Sequence, residues 1–593
     1  MTSLAIHMFP QAMAGAGASS SWPSAAGSFP GGLWQKLTGI FHTPTKGVSS
    51  LINSREAFKS FFKEQIDLLG ATVPPQDQAD LVATGEGLMR DILQNSLDKA
   101  MDHAIRRGDA KVASPVLKDA LARAEEYARL GLMELNAHAA RARIAGVTYD
   151  TRPQILVRPD QTLVLIRPAP LIENLVLRGG GAKGVGNGPA LMEMERAGLL
   201  AGVNKIVGTS VGALTAVSLA SGQSAQAYSR MSEEQSMLEL LTTGGDFEAR
   251  YPGIDMSWRI GFRSGRALEL LDEVSATHVS SYLAENWSNA GFQEKIEALR
   301  QAAGETAVSR LAQLRQQDFE VDRTRQMITF QDLALLHQLE PARFKNLVLT
   351  GWDNTRRETM FFSAETTPDM SIAVAGRISM AFPVVFKSVT VDPGDGGGAR
   401  TFSDGGIGSN IPTEVILGKL RNPELADARA RTALMTFDDE GEAYQVMHGK
   451  PLERSGMLDW LVSKVTGHPD FGQASTNDDI KVGEAGPNAF VVFHGDLGTL
   501  SFLASTKRRE EAEMQASLKM LEQIEQRSGQ AYAVECASIE DCFALLSESE
   551  KQQLVRGGPP ASESYPHAER DLAYRTQRQL YEMALEGGQR RMA

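Results

Sequence analysis

The spacing of apolar residues changes along the chain, and each change marks an expected boundary. From Ser54 the positions Phe58, Phe61, Phe62, Ile66 and Leu69 recur at helical spacing, with Ser54 as the N-cap and Gly70 as the terminator. A second helix is expected from Ser114-Pro115, a cap followed by proline at the first helical position. Its stripe is Val116, Leu117, Leu121, Ala124, Tyr127, Ala128, Leu132 and Leu135. Residues 54–146 therefore read as a small helical domain. Near residue 147 the pattern turns to short β-rich runs at 154–157, 163–166 and 174–177, and later runs such as 205–207 lead through glycine into helical patterns. That alternation predicts an α/β fold with a central, mostly parallel sheet over residues 147–439. Within it, 301–317 reads as one peripheral helix. Residues 440–503 read as a loop-rich connection with a strong apolar run at 489–493. Residues 504–593 read as helical. One stripe is Met514, Leu518, Leu521 and Ile524, another is Leu572, Leu580, Met583 and Leu585, and a Gly-Gly-Pro-Pro at 557–560 separates them.

Composition narrows the function classes. Of 593 residues, 42% are hydrophobic and 22% charged, which is ordinary globular usage. Lys and Arg number 60 against 73 Asp and Glu, a net charge of -13. The acidic balance disfavours a nucleic-acid binder and general attraction to an anionic membrane. It leaves Lys507-Arg508-Arg509 and Arg590-Arg591 as local basic spots, and a lipid-binding C-terminal tail as one reading of them. The two cysteines, Cys536 and Cys542, exclude a disulfide framework, fit a reducing compartment and read as ordinary packed thiols. Ten scattered histidines without HExxH argue against a metal centre. No charged residue precedes Lys36, and residues 1–32 are rich in Ala, Ser, Gly and Pro. This lacks the positive start and continuous apolar stretch of a cleaved secretory signal. Residues 1–53 are expected to be disordered, either as a plain terminus or as an export signal kept unfolded. No window is long and apolar enough to span a membrane; the best, 206–220, is interrupted by Gly208, Ser210, Gly212 and Thr215.

Three segments carry candidate chemistry. Gly179, Gly180, Gly181 and Ala182 follow the run 174–177, where glycines let successive amide N–H groups point inward and stabilise negative charge. The spacing of Gly179, Gly181 and Gly184 also fits a dinucleotide loop. That reading wants an acid about 20 residues on, and 201–208 holds none. Gly208-Thr209-Ser210-Val211-Gly212 fits GxSxG between a strand-like run and a helical pattern at 213–220, as a nucleophile elbow requires. Asp404, in Phe402-Ser403-Asp404-Gly405-Gly406, stands at the end of another strand-like run, where a carboxylate can accept the serine proton directly. Asp392 and Asp395 with their glycines read as a hairpin tip rather than a calcium loop.

In this order, the glycine loop, the GxSxG elbow and the Asp-Gly-Gly resemble the patatin-like phospholipases. The segment 377–386 (RISMAFPVVF) resembles a further block of that family. The resemblance spans about 171–439 and departs from plant patatins at Arg178, where an Asp often stands. It implies a three-layer patatin fold and hydrolysis of phospholipid acyl esters. Ser210 would be the nucleophile, Asp404 the base, and the amides of Gly179, Gly180, Gly181 and Ala182 the oxyanion site, with no metal or organic cofactor. The whole layout, with the segment 493–500, is similar to type III-secreted patatin-like cytotoxins. That likeness implies a chaperone-binding helical region, a C-terminal membrane-localising region and activation by host ubiquitin with help from phosphoinositide. It also implies export from a bacterium without a cleaved signal, to act in the host cytoplasm and at host membranes. Two alternatives stay open: an α/β-hydrolase triad of Ser210, Asp404 and His494, which occur in that chain order, and a non-catalytic interaction protein on the same scaffold.

Overall fold

A computed structural model describes residues 9–10, 31–41, 48–106, 114–146, 152–158, 160–234, 239–256, 261–316, 327–383, 385–437, 471–495, 497, 501, 504–528, 530–560 and 572–592. The chain divides into two units, one of residues 12–148 with 510–525, the other of 1–11, 149–509 and 526–593.

The first unit is helical because its apolar residues keep a helical period. Its helices include Gly31–Phe41, Val48–Gly70, Gln78–Leu93 and Ser114–Gly146, with 510–525 from the helix Thr506–Ser528. Phe58 sits at the core between Phe41 and Phe62, with ring centroids 5.8 and 5.3 Å away. Met133, Ala137 and Ala140 bury against Leu518 and Leu521. Two expectations change here. The second of these helices begins at Val48, so Ser54 is no N-cap; it is buried, and its hydroxyl donates to the Ile40 carbonyl at 3.4 Å. Within the stretch expected to be disordered, Gly31–Phe41 and 48–53 are helical, because Leu37, Phe41 and Leu51 have a core to enter. Residues 1–8 and 11–30 lie outside the described residues.

The second unit is built on an eight-stranded sheet. Its strands are β4 (Asn174–Leu177), β5 (Lys205–Gly208), β6 (Asn346–Asp353), β7 (Glu358–Phe362), β8 (Val389–Val391), β9 (Arg400–Asp404), β10 (Thr432–Phe437) and β11 (Ala489–Val492). The order is β11-β10-β4-β5-β6-β9-β8, with β7 also on β6. From β11 to β6 the pairing is parallel, while β7, β8 and β9 join antiparallel. The parallel strands are apolar on both faces because helices cover both. The helices Val211–Ala220 and Ile372–Ser379 pack on β5 and β6 and on each other. The sheet does not stop near residue 439. β11 extends it, and the helix Phe471–Ala485 fills part of the stretch read as a loop; residues 438–470 lie outside the described residues.

Other differences have local causes. The early runs β2 (Gln154–Val157) and β3 (Leu163–Pro168) belong to a separate antiparallel sheet with β12 (Gln530–Cys536), edged by β1 (Phe9–Pro10). The C-terminal region therefore holds a strand besides its helices. The helix expected at 301–317 is two, Ala290–Ala303 and Glu305–Arg315, split at Gly304, whose φ of 88° no right-handed helix accommodates. Cys536 and Cys542 are buried and free. Among the described residues no helix is long and apolar enough to cross a membrane.

Candidate functional site

Strand register brings the three motifs to one place. β4 and β5 are parallel with Leu177 opposite Gly208, so the glycine loop and the elbow leave the sheet side by side. β5 and β6 are parallel with Gly208 opposite Leu349, which sets Ser210 near the level of Gly351. Antiparallel β9 places Asp404 opposite that same Gly351. A serine and a carboxylate 194 residues apart thus meet: Ser210 Oγ donates to Asp404 Oδ2 at 2.7 Å.

The elbow is strained, as its motif requires. Ser210 has φ 54° and ψ -124°, a conformation that non-glycine residues seldom adopt, and it caps the N-terminus of Val211–Ala220. Its N–H donates to Ser379 Oγ at 2.9 Å. Glycine is needed at 212 because a Cβ there would lie 2.3 Å from the Leu177 carbonyl oxygen. The positive end of the helix lies at Ser210 and favours negative charge there.

Asp404 is 1% exposed. Burial pushes its carboxyl up to about 7, against the opposing pull of the Gly406 N–H, the Ser210 hydroxyl and the Arg377 charge. The Gly406 N–H donates to Asp404 Oδ1 at 2.7 Å. Arg377 is buried, and its guanidinium donates to the carbonyls of Arg263, Ser264 and Lys387.

The glycine loop needs one correction. The Gly179 N–H donates to Asn410 Oδ1 at 3.1 Å, and the Gly179 carbonyl accepts from Asn410 Nδ2 at 3.2 Å. The amide of Gly179 is therefore committed and not free for an oxyanion. A short 3-10 turn follows over Gly181–Gly186, whose first internal bond runs from the Lys183 N–H to the Gly180 carbonyl. The amides of Gly181 and Ala182 precede that bond and have no partner within the turn. Arg178 turns away toward β10, with Nη1 donating to Thr436 Oγ1 at 2.9 Å.

His494 is not beside these groups. It follows β11, three strands over from β5, or about 14 Å at the usual spacing of ~4.8 Å between strands. Both Asp404 oxygens already accept, from Ser210 and Gly406. Asp392 and Asp395 lie on the β8–β9 hairpin, accepting from the N–H groups of Gly394 and Gly397. Among the described residues no group of three or more His, Cys, Asp or Glu could hold a metal. A cavity of about 940 Å³ lined by Tyr251, Asp272, Arg310 and Met370 contains none of the motif residues. The sequence reading did not single out Ser379, Asn410, Asp478 or Lys481. Ser379 lies in the block 377–386 and Asn410 six residues past Asp404, both within reach of the motifs, whereas Asp478 and Lys481 carry no local signal.

An open α/β sheet with a serine elbow and an adjoining carboxylate defines a class of acyl hydrolase scaffolds. Residues 175–417, which hold the elbow and the carboxylate, match the family model described as patatin-like phospholipase. No curated protein matches the chain significantly. Among solved structures it is similar to VipD from Legionella pneumophila, at 18% identity and a TM-score of 0.39, over 75% of this chain and 91% of that one. It is similar also to the type III effector protein ExoU, at 18% and 0.42 over 74% and 67%. The ExoU–SpcU complex from the type III secretion system of Pseudomonas aeruginosa matches at 19% and 0.39, over 74% of each chain.

Proposed function

We propose that this protein hydrolyses acyl esters of membrane phospholipids, in the manner of a phospholipase A2 or lysophospholipase, with a Ser210–Asp404 dyad. The observation that carries the reading is the 2.7 Å hydrogen bond from Ser210 Oγ to a buried carboxylate, at a strained turn on a helix N-terminus. Asp404 takes the hydroxyl proton as Ser210 Oγ bonds to the ester carbonyl carbon. The carbonyl oxygen becomes an oxyanion, held by the amides of Gly180, Gly181 and Ala182. Collapse expels the lyso-lipid alkoxide, which takes the proton from Asp404, and the acyl group stays on Ser210. Asp404 then deprotonates a water that releases the fatty acid. A carboxyl near 7 suits both directions of this transfer at neutral pH.

The reading includes more that rests on the resemblance in layout. The protein is a secreted bacterial effector whose uncharged N-terminal stretch is the export signal and whose 54–146 region receives a chaperone. Host ubiquitin activates it, and phosphoinositide membranes hold it. The test is hydrolysis of mixed phosphatidylcholine–phosphoinositide vesicles, with and without ubiquitin, by the parent, Ser210→Ala and Asp404→Asn. Turnover by the parent that both substitutions abolish supports the dyad. Failure of Ser210 to react with a fluorophosphonate, with ubiquitin and lipid present, favours a non-catalytic scaffold. Loss of turnover in His494→Ala as deep as in Ser210→Ala favours the triad.

A further inference from the structure

The glycine loop is held in place from a distant element. Asn410 bonds both backbone groups of Gly179, as a paired strand would. Its side-chain oxygen also sits 2.9 Å from where a Cβ on Gly406 would stand, beside the amide that holds Asp404. What orients Asn410 is the helix Phe471–Ala485. Asp478, 4% exposed on that helix, accepts from the N–H of Asn410 at 3.1 Å and of Ile411 at 3.3 Å. One turn on, Lys481 donates to the Ile411 carbonyl at 2.7 Å and to Glu414 Oε2 at 2.8 Å. The same loop accepts from the elbow: the Thr209 hydroxyl donates to the Ser409 carbonyl at 3.3 Å.

We infer that Asp478 is a positioning residue for the oxyanion loop, acting through Asn410 on the Gly179 peptide. This rests on the Ser210–Asp404 reading above. Asp478 touches neither the serine nor the carboxylate. Its two oxygens fix consecutive N–H groups of the 410–411 backbone, which sets the Asn410 side chain. Asn410 in turn holds the peptide just before the amides of Gly180 and Gly181. Donors aimed at developing charge act only when they are already in place, so slack in this chain costs the transition state more than ground-state binding. The isosteric Asp478→Asn turns one acceptor into a donor facing an N–H and breaks the grip at little cost in shape.

The test compares full-length parent, Asp478→Asn, Asp478→Glu, Asn410→Ala and the Asp478→Asn/Asn410→Ala pair. Each is assayed with ubiquitin and phosphatidylcholine–phosphoinositide vesicles. Readouts are kcat, KM, the rate of fluorophosphonate labelling of Ser210, and the melting temperature. Support requires about 10- to 100-fold lower kcat and labelling rate in Asp478→Asn, on the scale of lost supporting contacts around an active centre. KM should stay near the parent while melting falls by a few degrees, since two backbone N–H groups and Lys481 lose a charged acceptor. Asp478→Glu should recover part of the rate, and the pair should be no worse than its worse single member. Labelling of Asp478→Asn at the parent rate overturns the inference. So do losses that multiply in the pair, or a loss that merely follows a lower melting temperature. If Asp478→Asn does not fold, Asn410→Ala decides alone, and parent-like labelling there also overturns it. A parent that does not label at all sinks the dyad reading instead, which separates the two failures.

Discussion

Asp404 combines two properties that pull against each other. Burial raises its carboxyl to about 7, while the hydroxyl of Ser210 and the amide of Gly406 favour its charged form. On the proposed dyad Asp404 acts as the base and must be ionised, so kcat/KM should climb with pH and level off above about 7, falling roughly tenfold per pH unit on the acid side. The sign for stability is opposite. A folded-state value above the ordinary 3.8 means that the folded protein holds the proton more tightly than the unfolded chain. That contribution is fully present below 3.8 and is lost as pH rises through about 7. Asp404→Asn should therefore melt several degrees higher than the parent at pH 8 and level with it near pH 4, while losing turnover at both. A melting curve for Asp404→Asn below the parent at pH 8 would count against a desolvated carboxylate at this position.

The elbow depends on elements that approach closely. Val211–Ala220 is buried nearly all round, and Gly212 lets it rest on the end of β4. Gly212→Ala should cost about 1–3 kcal/mol by overpacking against backbone that cannot move aside, measurable by urea unfolding. Ser379→Ala leaves the Ser210 N–H without its acceptor, an expected loss of about 1–2 kcal/mol together with slower acylation. How far each element could be read from the chain follows from where its signal lies. The strand runs at 154–157 and 174–177 and the helix after Ser114 were legible because period and caps are written locally. The helix Phe471–Ala485 was not. Its Gly, Ser, Thr, Asn and Asp residues have poor helix propensity, and packing on the sheet stabilises it instead. The start of the helix at Val48 was missed for a related reason. Ser54 looks like a cap from its neighbours, yet it is buried and bonded to Ile40 of the preceding helix.

Across the second unit, segments far apart along the chain are tied by a buried charge cluster. Arg167 of β3, almost wholly buried, pairs with Asp427 and Glu550, and Arg431 ahead of β10 pairs with the same two carboxylates. Both guanidinium groups also donate to the Leu545 carbonyl at 3.1 Å. Burial presses Arg167 down to about 10. Burial also pushes Glu550 up, but the neighbouring arginines and Ser547 outweigh it, so its carboxyl sits below the usual range. A depressed carboxyl contributes stability above its unfolded value and loses it as pH falls through the folded one, so the cluster should weaken in acid. Glu550→Ala leaves Asp427 as the one carboxylate facing both Arg167 and Arg431 in the buried cluster and should cost about 3 kcal/mol, read from denaturant curves at pH 7. A change within ~0.5 kcal/mol would mean that the cluster is not coupled to folding.

Ser210, Asp404 and the glycine loop announce themselves along the chain because a sharp strand-to-helix turn and a strand-end carboxylate need particular residues at fixed local spacing. Alternating strands and helices likewise imply a parallel sheet, since each strand buried on both faces must be apolar throughout. Folding alone settled which oxygen meets which proton. Register across β4, β5, β6 and β9 sets the serine against the carboxylate and leaves His494 three strands away. It also commits the Gly179 amide to Asn410 and places Asp478 behind it. These contacts join segments separated by tens to hundreds of residues, and an interaction whose partner lies that far off leaves no periodic trace near either end.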